Sequence, residues 1–188
     1  MSNNSARMII LSGPTASGKS TLWRHLVRHP EVSFSVSVTT RPIRDGEEDG
    51  RDYRFVDEEE FLARKDRGEF LEWAKVHGRY YGTLRADIEE ALAKGLNVLL
   101  EIDVQGAEQL RDCGLPYVSL FVKPPSLDIL RDRLRRRGTE GEEEMALRLK
   151  IVEEEISRAG SYDHVVVNDD LEQTIAEVES ILDLEVSA

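Results

Sequence analysis

Gly13-Pro14-Thr15-Ala16-Ser17-Gly18-Lys19-Ser20 spaces two glycines, a lysine and a hydroxyl so that all of them can serve one anion. A glycine-rich turn feeding a helix aims successive backbone N–H groups, and the positive end of the helix dipole, at a single point. That arrangement holds a phosphate. Lys19 adds a mobile cation for β- and γ-phosphates, the Ser20 hydroxyl offers an oxygen ligand to Mg²⁺, and Thr21 extends the cradle by one residue. The chemistry predicted for Gly13–Thr21 is the binding of a nucleoside triphosphate.

Two further groups of residues could work on phosphate. In Thr39-Thr40-Arg41-x-x-Arg44-x-x-Glu47-x-x-Gly50-x-x-Tyr53-x-Phe55, Arg41 and Arg44 lie close enough to fork onto one phosphate monoester. Tyr53 and Tyr81 could each donate one more hydrogen bond there. On spacing alone, an equally good reading makes both arginines solvated partners of the abundant carboxylates. Arg133 and Arg137 stand four apart on one helical face, with Arg148 on the following helix. They read either as a basic face neutralised by Glu142, Glu143 and Glu144, or as guanidinium groups brought to a transferring phosphoryl group.

These residues need elements to hold them. Met8–Leu11 is an apolar run with the character of a buried parallel strand, and Leu22, Trp23, Leu26 and Val27 mark one face of the helix after the glycine turn. Phe34–Val38 alternates as a strand ending near Thr39-Thr40, and Tyr53–Val56 is a short strand. Asp57 with Glu60 opens a helix that Gly68 can end. Phe70–Val76 and Tyr80–Gly82 are strand pieces joined through His77-Gly78, so 37–86 reads as an α+β insertion. Asp87 caps the next helix, Asn97–Asp103 is a buried strand finishing on carboxylates, and Gly106–Asp112 is a short helical connection. Tyr117–Val122 and His164–Asn168 are further strands. Ser126 caps a helix carrying Leu127, Leu130 and Leu134; Met145, Leu149, Val152 and Ile156 stripe another, and Leu171, Ile175, Val178 and Leu182 the last. Strands alternating with helices predict an α/β fold, a mostly parallel five-stranded sheet between helical layers, with ligands at the carboxyl ends of the strands.

The 188 residues fit one medium domain, and a formal net charge of −12 argues against a duplex nucleic-acid surface. Cys113 is the single cysteine, which excludes an intrachain disulfide and suits a reducing cytoplasm. No apolar run approaches a membrane span, and Met1–Arg7 reads as a polar, frayed tail.

The Thr39–Phe55 run closely resembles the guanylate kinase family. So do Gly68-Glu69-Phe70-Leu71-Glu72-Trp73, Tyr80-Tyr81-Gly82-Thr83, Glu101-Ile102-Asp103-Val104-Gln105-Gly106, Arg137-Gly138-Thr139 and Val167-Asn168-Asp169-Asp170. The similarity runs from about Met8 to Leu182. It implies a phosphate-loop fold with a core (8–36, 87–127 and 157–188), a GMP-binding insertion (37–86) and a helical lid (128–156). It also implies transfer of the ATP γ-phosphoryl group to GMP or dGMP with Mg²⁺, by a monomer or homodimer without nucleic-acid or membrane partners. Arg41, Arg44, Tyr53 and Tyr81 fall where the family grips the GMP phosphate; Ser37, Glu72 and Thr83 where it reads guanine; Asp103 beside the base and, with Ser20, the metal. Arg133, Arg137 and Arg148 match its lid arginines, with Lys19 and Arg41 completing the catalytic set, and Asn168 matches a position against the adenine of ATP.

A carboxylate suits the guanine N1–H and N2–H₂ donors and would meet a bare lone pair on adenine, so Glu72 is the natural discriminator. A scaffold module would need neither Lys19 nor the lid arginines, and a kinase for a ribose phosphate would have no use for Ser37, Glu72 and Thr83 together. Ala16 stands where the family usually carries glycine; if that position needs a positive φ, alanine costs about 1 kcal/mol there.

Overall fold

The computed structural model describes residues 6–76, 78–137 and 142–184, with the backbone alone for 136, 137 and 142–146. The expectations for the first five residues, His77, Gly138, Thr139 and the side chains of Arg137, Glu142–Glu144 and Met145 lie outside the described residues.

The strands are β1 (Met8–Ser12), β2 (Val32–Phe34), β3 (Val38–Thr39), β4 (Arg54–Phe55), β5 (Phe70–Val76), β6 (Arg79–Leu84), β7 (Asn97–Glu101), β8 (Tyr117–Lys123) and β9 (His164–Val167). The helices are α1 (Lys19–Leu26), α2 (Glu58–Asp66), α3 (Arg85–Ala93), α4 (Val104–Gln109), α5 (Leu127–Arg137), α6 (Glu142–Ser157) and α7 (Leu171–Leu182). Five strands form a parallel sheet in the order β2-β7-β1-β8-β9, and four form a second sheet in the order β4-β3-β6-β5. All of β1 and the middles of β7 and β8 are buried, as a parallel sheet covered on both faces requires.

The chain divides into two compact units: 1–9 with 31–117, and 10–30 with 118–188. In the first, β2 runs parallel to β7 with Val32 opposite Asn97, while β5 and β6 pair antiparallel with Glu72 opposite Thr83. Its small sheet encloses Val38, Phe61 and Phe70, with Trp73, Tyr80 and Leu84 packed against them. Phe61 stacks on Phe70 and on Tyr80 at centroid distances of 4.4 and 5.2 Å. Asp57 accepts from the Glu60 N–H at 2.8 Å, so the expected cap of α2 forms. In the second unit β8 and β9 are parallel, and Leu130, Leu134 and Val152 of α5 and α6 cluster with Ala16 of the glycine turn.

Two local expectations are corrected. Residues 34–38 are not one strand, because the backbone changes partner within them: Ser35 N–H donates to Leu99 of β7, whereas the Ser37 carbonyl accepts from Arg54 of β4. Asp87 does not cap α3. The helix begins two residues earlier, at Arg85, whose N–H donates to the Glu69 carbonyl, and the Asp87 carboxylate instead pairs with Arg54 Nη1.

Candidate functional site

In the second unit the phosphate loop is shaped by contacts only glycine allows. A Cβ on Gly13 would stand 2.1 Å from the Val122 carbonyl oxygen, and one on Gly18 2.0 Å from Asn168 Nδ2. Gly18 caps α1 in the left-handed region at φ 99°. Lys19 Nζ donates to the carbonyls of Gly13 and Pro14 at 2.5 and 2.9 Å, which holds the cation over the loop it would serve. Ser20 and Thr21 are exposed in the first turn of α1.

Asn168 is buried at 5 % exposure. Its Nδ2 donates to the Ser17 carbonyl at 2.8 Å, and its Oδ1 accepts from Thr174 Oγ1 at 3.3 Å. Arg133 reaches the same place, with Nη1 donating to the Ala16 carbonyl at 3.4 Å and Nη2 to the Asn168 carbonyl at 3.2 Å. Ala16, Gly18, Thr21, Arg133, Asn168, Asp169 and Leu171 line a cleft of about 340 Å³ beside the loop. Arg148 is half-buried on α6, and Arg137 is the last residue of α5.

Ala16 has φ 60°, a left-handed conformation on a non-glycine residue. Its methyl packs on Leu130, Leu134 and Val152. Replacing it with glycine relieves about 1 kcal/mol of backbone strain and loses about 0.8 kcal/mol of methyl burial. Ala16→Gly should therefore leave stability within about 1 kcal/mol of the parent in a urea titration. A loss above about 2 kcal/mol would make the α5–α6 packing the dominant effect.

In the first unit Arg41, Tyr53 and Tyr81 come together. The Arg41 guanidinium lies 5.1 Å from the Tyr53 ring centroid, and the Tyr53 and Tyr81 rings are 6.1 Å apart. Burial, and next the Glu101 charge, push the Tyr53 hydroxyl above its ordinary pKa and keep it a donor. Glu47, which sequence reasoning left without a role, grips Arg41 through both carboxylate oxygens at 2.9 and 2.8 Å and accepts from the Arg44 N–H at 2.9 Å. The Arg-x-x-Arg-x-x-Glu spacing was its only signal. Arg44 is exposed next to this pair.

Glu72 of β5 is 4 % exposed and accepts from Thr83 Oγ1 at 2.6 Å. Burial, opposed by that hydrogen bond and reinforced by the Asp103 charge, raises its carboxyl to about 7. Asp103 caps α4 by accepting from the Gly106 N–H at 2.9 Å, and Gln105 Nε2 donates to its other oxygen at 3.2 Å. Gly106 leaves room for the Glu72 carboxylate: a Cβ there would lie 2.4 Å from Oε2. Ser37 is half-buried in the segment joining β2 to β3. Asp103 belongs to this unit and Ser20 to the other. Both offer the hard oxygen donors that Mg²⁺ takes, so the donor chemistry fits that ion.

A parallel sheet with this loop between its first strand and first helix defines a nucleotide-binding fold of the phosphate-loop class. A guanylate kinase family model matches residues 5–185. The chain is 48 % identical over 176 residues to guanylate kinase of Symbiobacterium thermophilum, covering 93 % of this chain and 83 % of that one. Against guanylate kinase of Thermotoga maritima the identity is 44 % over 177 residues, covering 94 % and 86 %. The crystal structure of guanylate kinase from Anaplasma phagocytophilum superposes with a TM-score of 0.77 at 39 % identity, covering 95 % of this chain and 85 % of that one. The chain belongs to the guanylate kinase family.

Proposed function

We propose that the chain phosphorylates GMP, and dGMP, with ATP, giving GDP or dGDP and ADP in the purine nucleotide metabolism of the cytoplasm. The observation that carries the acceptor is Glu72: a carboxylate at 4 % exposure, held by Thr83 and given space by Gly106, has its natural partner in a base presenting N–H donors. Ser37 or Thr83 would donate to guanine O6. Arg41 and Arg44, with the Tyr53 and Tyr81 hydroxyls, would hold the GMP phosphate, and Glu47 would keep the Arg41 fork aimed.

Gly13–Thr21 would cradle the ATP phosphates. Lys19 would exchange the two loop carbonyls for the β- and γ-phosphates, and Arg133, Arg137 and Arg148 would neutralise charge on the transferring group. Asn168, fixed to Ser17 beneath the cleft, would support the wall against which adenine lies. Ser20 and Asp103 would hold Mg²⁺, which when bound neutralises charge on the β/γ-phosphates. In this reading 8–36, 87–127 and 157–188 are the core, 37–86 the GMP-binding subdomain and 128–156 the lid. The two nucleotides would be the partners of a monomer or homodimer; among the described residues no helix is long and apolar enough to cross a membrane, and the net charge of −12 disfavours nucleic acid.

A coupled assay of ADP release decides the acceptor. GMP and dGMP should support turnover, with AMP, UMP and ribose phosphates slower by several factors of ten. AMP turning over as fast as GMP would defeat the assignment of Glu72 as base reader.

A further inference from the structure

His25 on α1, His29 in the turn after it, and Glu179 on α7 belong to the second unit and take no part in the site described above. Both imidazoles direct Nε2 at the same carboxylate oxygen, Glu179 Oε1, at 2.9 Å each. The rings meet edge to face at a centroid distance of 6.1 Å. One ligand atom from each of the three residues falls within 4.8 Å of the other two. The His29 and Glu179 side chains are 5 % and 8 % exposed, while that of His25 is 33 % exposed and gives solvent access.

We propose that His25, His29 and Glu179 form a binding site for a divalent transition-metal ion of the zinc class, which clamps α1 to α7. The donor set decides the class: two imidazole nitrogens and one carboxylate oxygen suit Zn²⁺, Co²⁺, Ni²⁺ or Cu²⁺, whereas Mg²⁺ takes oxygen almost alone. The i, i+4 spacing brings both histidines to one side of the chain. A tetrahedral ion with bonds of ~2.0–2.1 Å sets its ligand atoms about 3.3 Å apart, so the Nε2–Oε1 pairs need open by only a few tenths of an ångström. In the empty site each Nε2–H donates to Glu179 Oε1; when an ion binds, each neutral ring carries its proton on Nδ1 instead and turns the freed Nε2 lone pair to the metal.

Charge points the same way. The Glu179 side chain, 8 % exposed, faces both imidazoles through one carboxylate oxygen. A largely buried carboxylate is thus in place between the rings, and the 33 % exposure of His25 gives an ion a route in from solvent. Because α1 begins with Lys19 and Ser20, the clamp would fix the helix that presents both to the phosphate loop.

The test uses the full chain, free of nucleotide and Mg²⁺. Zn²⁺ is titrated by calorimetry, and Co²⁺ by the visible absorption of a low-coordinate ion. One ion should bind per chain and raise the melting temperature. His25→Ala, at the most exposed ligand, and Glu179→Gln, which keeps size and an acceptor oxygen, should each weaken binding by at least about tenfold and abolish the thermal shift. Absence of saturable Zn²⁺ binding, or affinity unchanged in both variants, would overturn the proposal.

Discussion

Lys19→Ala is expected to lower kcat for GMP phosphorylation by about 10²-fold or more, equivalent to about 3 kcal/mol of transition-state stabilisation. The loop's backbone donors can hold the ground-state phosphates without Lys19, but they cannot follow the charge that moves onto the β–γ bridging oxygen. A cation on a flexible stem can. In the structure Nζ is bonded to two loop carbonyls, uncharged acceptors that an anionic polyphosphate can displace. Losing them should cost folding about 1.5–3 kcal/mol, and a urea titration measures that loss apart from the lost chemistry. GMP affinity should be unchanged, because Arg41, Tyr53, Glu72 and Tyr81 belong to the other unit. Single-turnover rates separate this from slowed product release. A variant that keeps near-parental turnover would remove Lys19 from the chemistry.

Much of this architecture was legible from residue types. Continuous apolar runs located β1, β7 and β8, which are buried on both faces, and Asp57 with Glu60 located the start of α2. What stayed hidden depended on partners distant in sequence. Residues 34–38 look like one strand because their side chains alternate, but the split comes from a backbone handover from Leu99 to Arg54 that no side chain announces. Asp87 has the type and position of a helix cap, yet Arg54, thirty-three residues away, claims its carboxylate. The strain at Ala16 was anticipated as a condition on φ; that its methyl also packs on α5 and α6 needed the fold. Glu47 and Gly106 sat in view within the matching stretches. Their roles, gripping Arg41 and making room for Glu72, follow from distances and not from residue type.

Glu72→Gln should make the protein more stable and a poorer enzyme at once. The folded carboxyl is pushed up to about 7 from its ordinary 4.5. The folded state therefore keeps its proton between those values while the unfolded chain has lost it, so stability falls as pH rises from about 4.5 to about 7 and is flat beyond. A shift of that size corresponds to about 3 kcal/mol, which the uncharged glutamine does not lose. In urea titrations the variant should match the parent near pH 4.5 and exceed it by about 2–3 kcal/mol at pH 8. Activity moves oppositely. Glutamine replaces one carboxylate oxygen with an NH₂ donor, so at most one of the contacts to guanine N1–H and N2–H₂ survives, and kcat/KM for GMP should drop roughly 10- to 150-fold. IMP has no N2 amine and should fall less, narrowing the GMP preference over IMP. The parent's kcat/KM for GMP should also rise with pH through about 7 as the free carboxyl ionises, a limb absent from the variant. Equal losses for GMP and IMP would remove the amine contact from Glu72. A pH limb that survives in the variant would place the titrating group elsewhere, and unchanged kinetics with both nucleotides would move base recognition off β5 altogether.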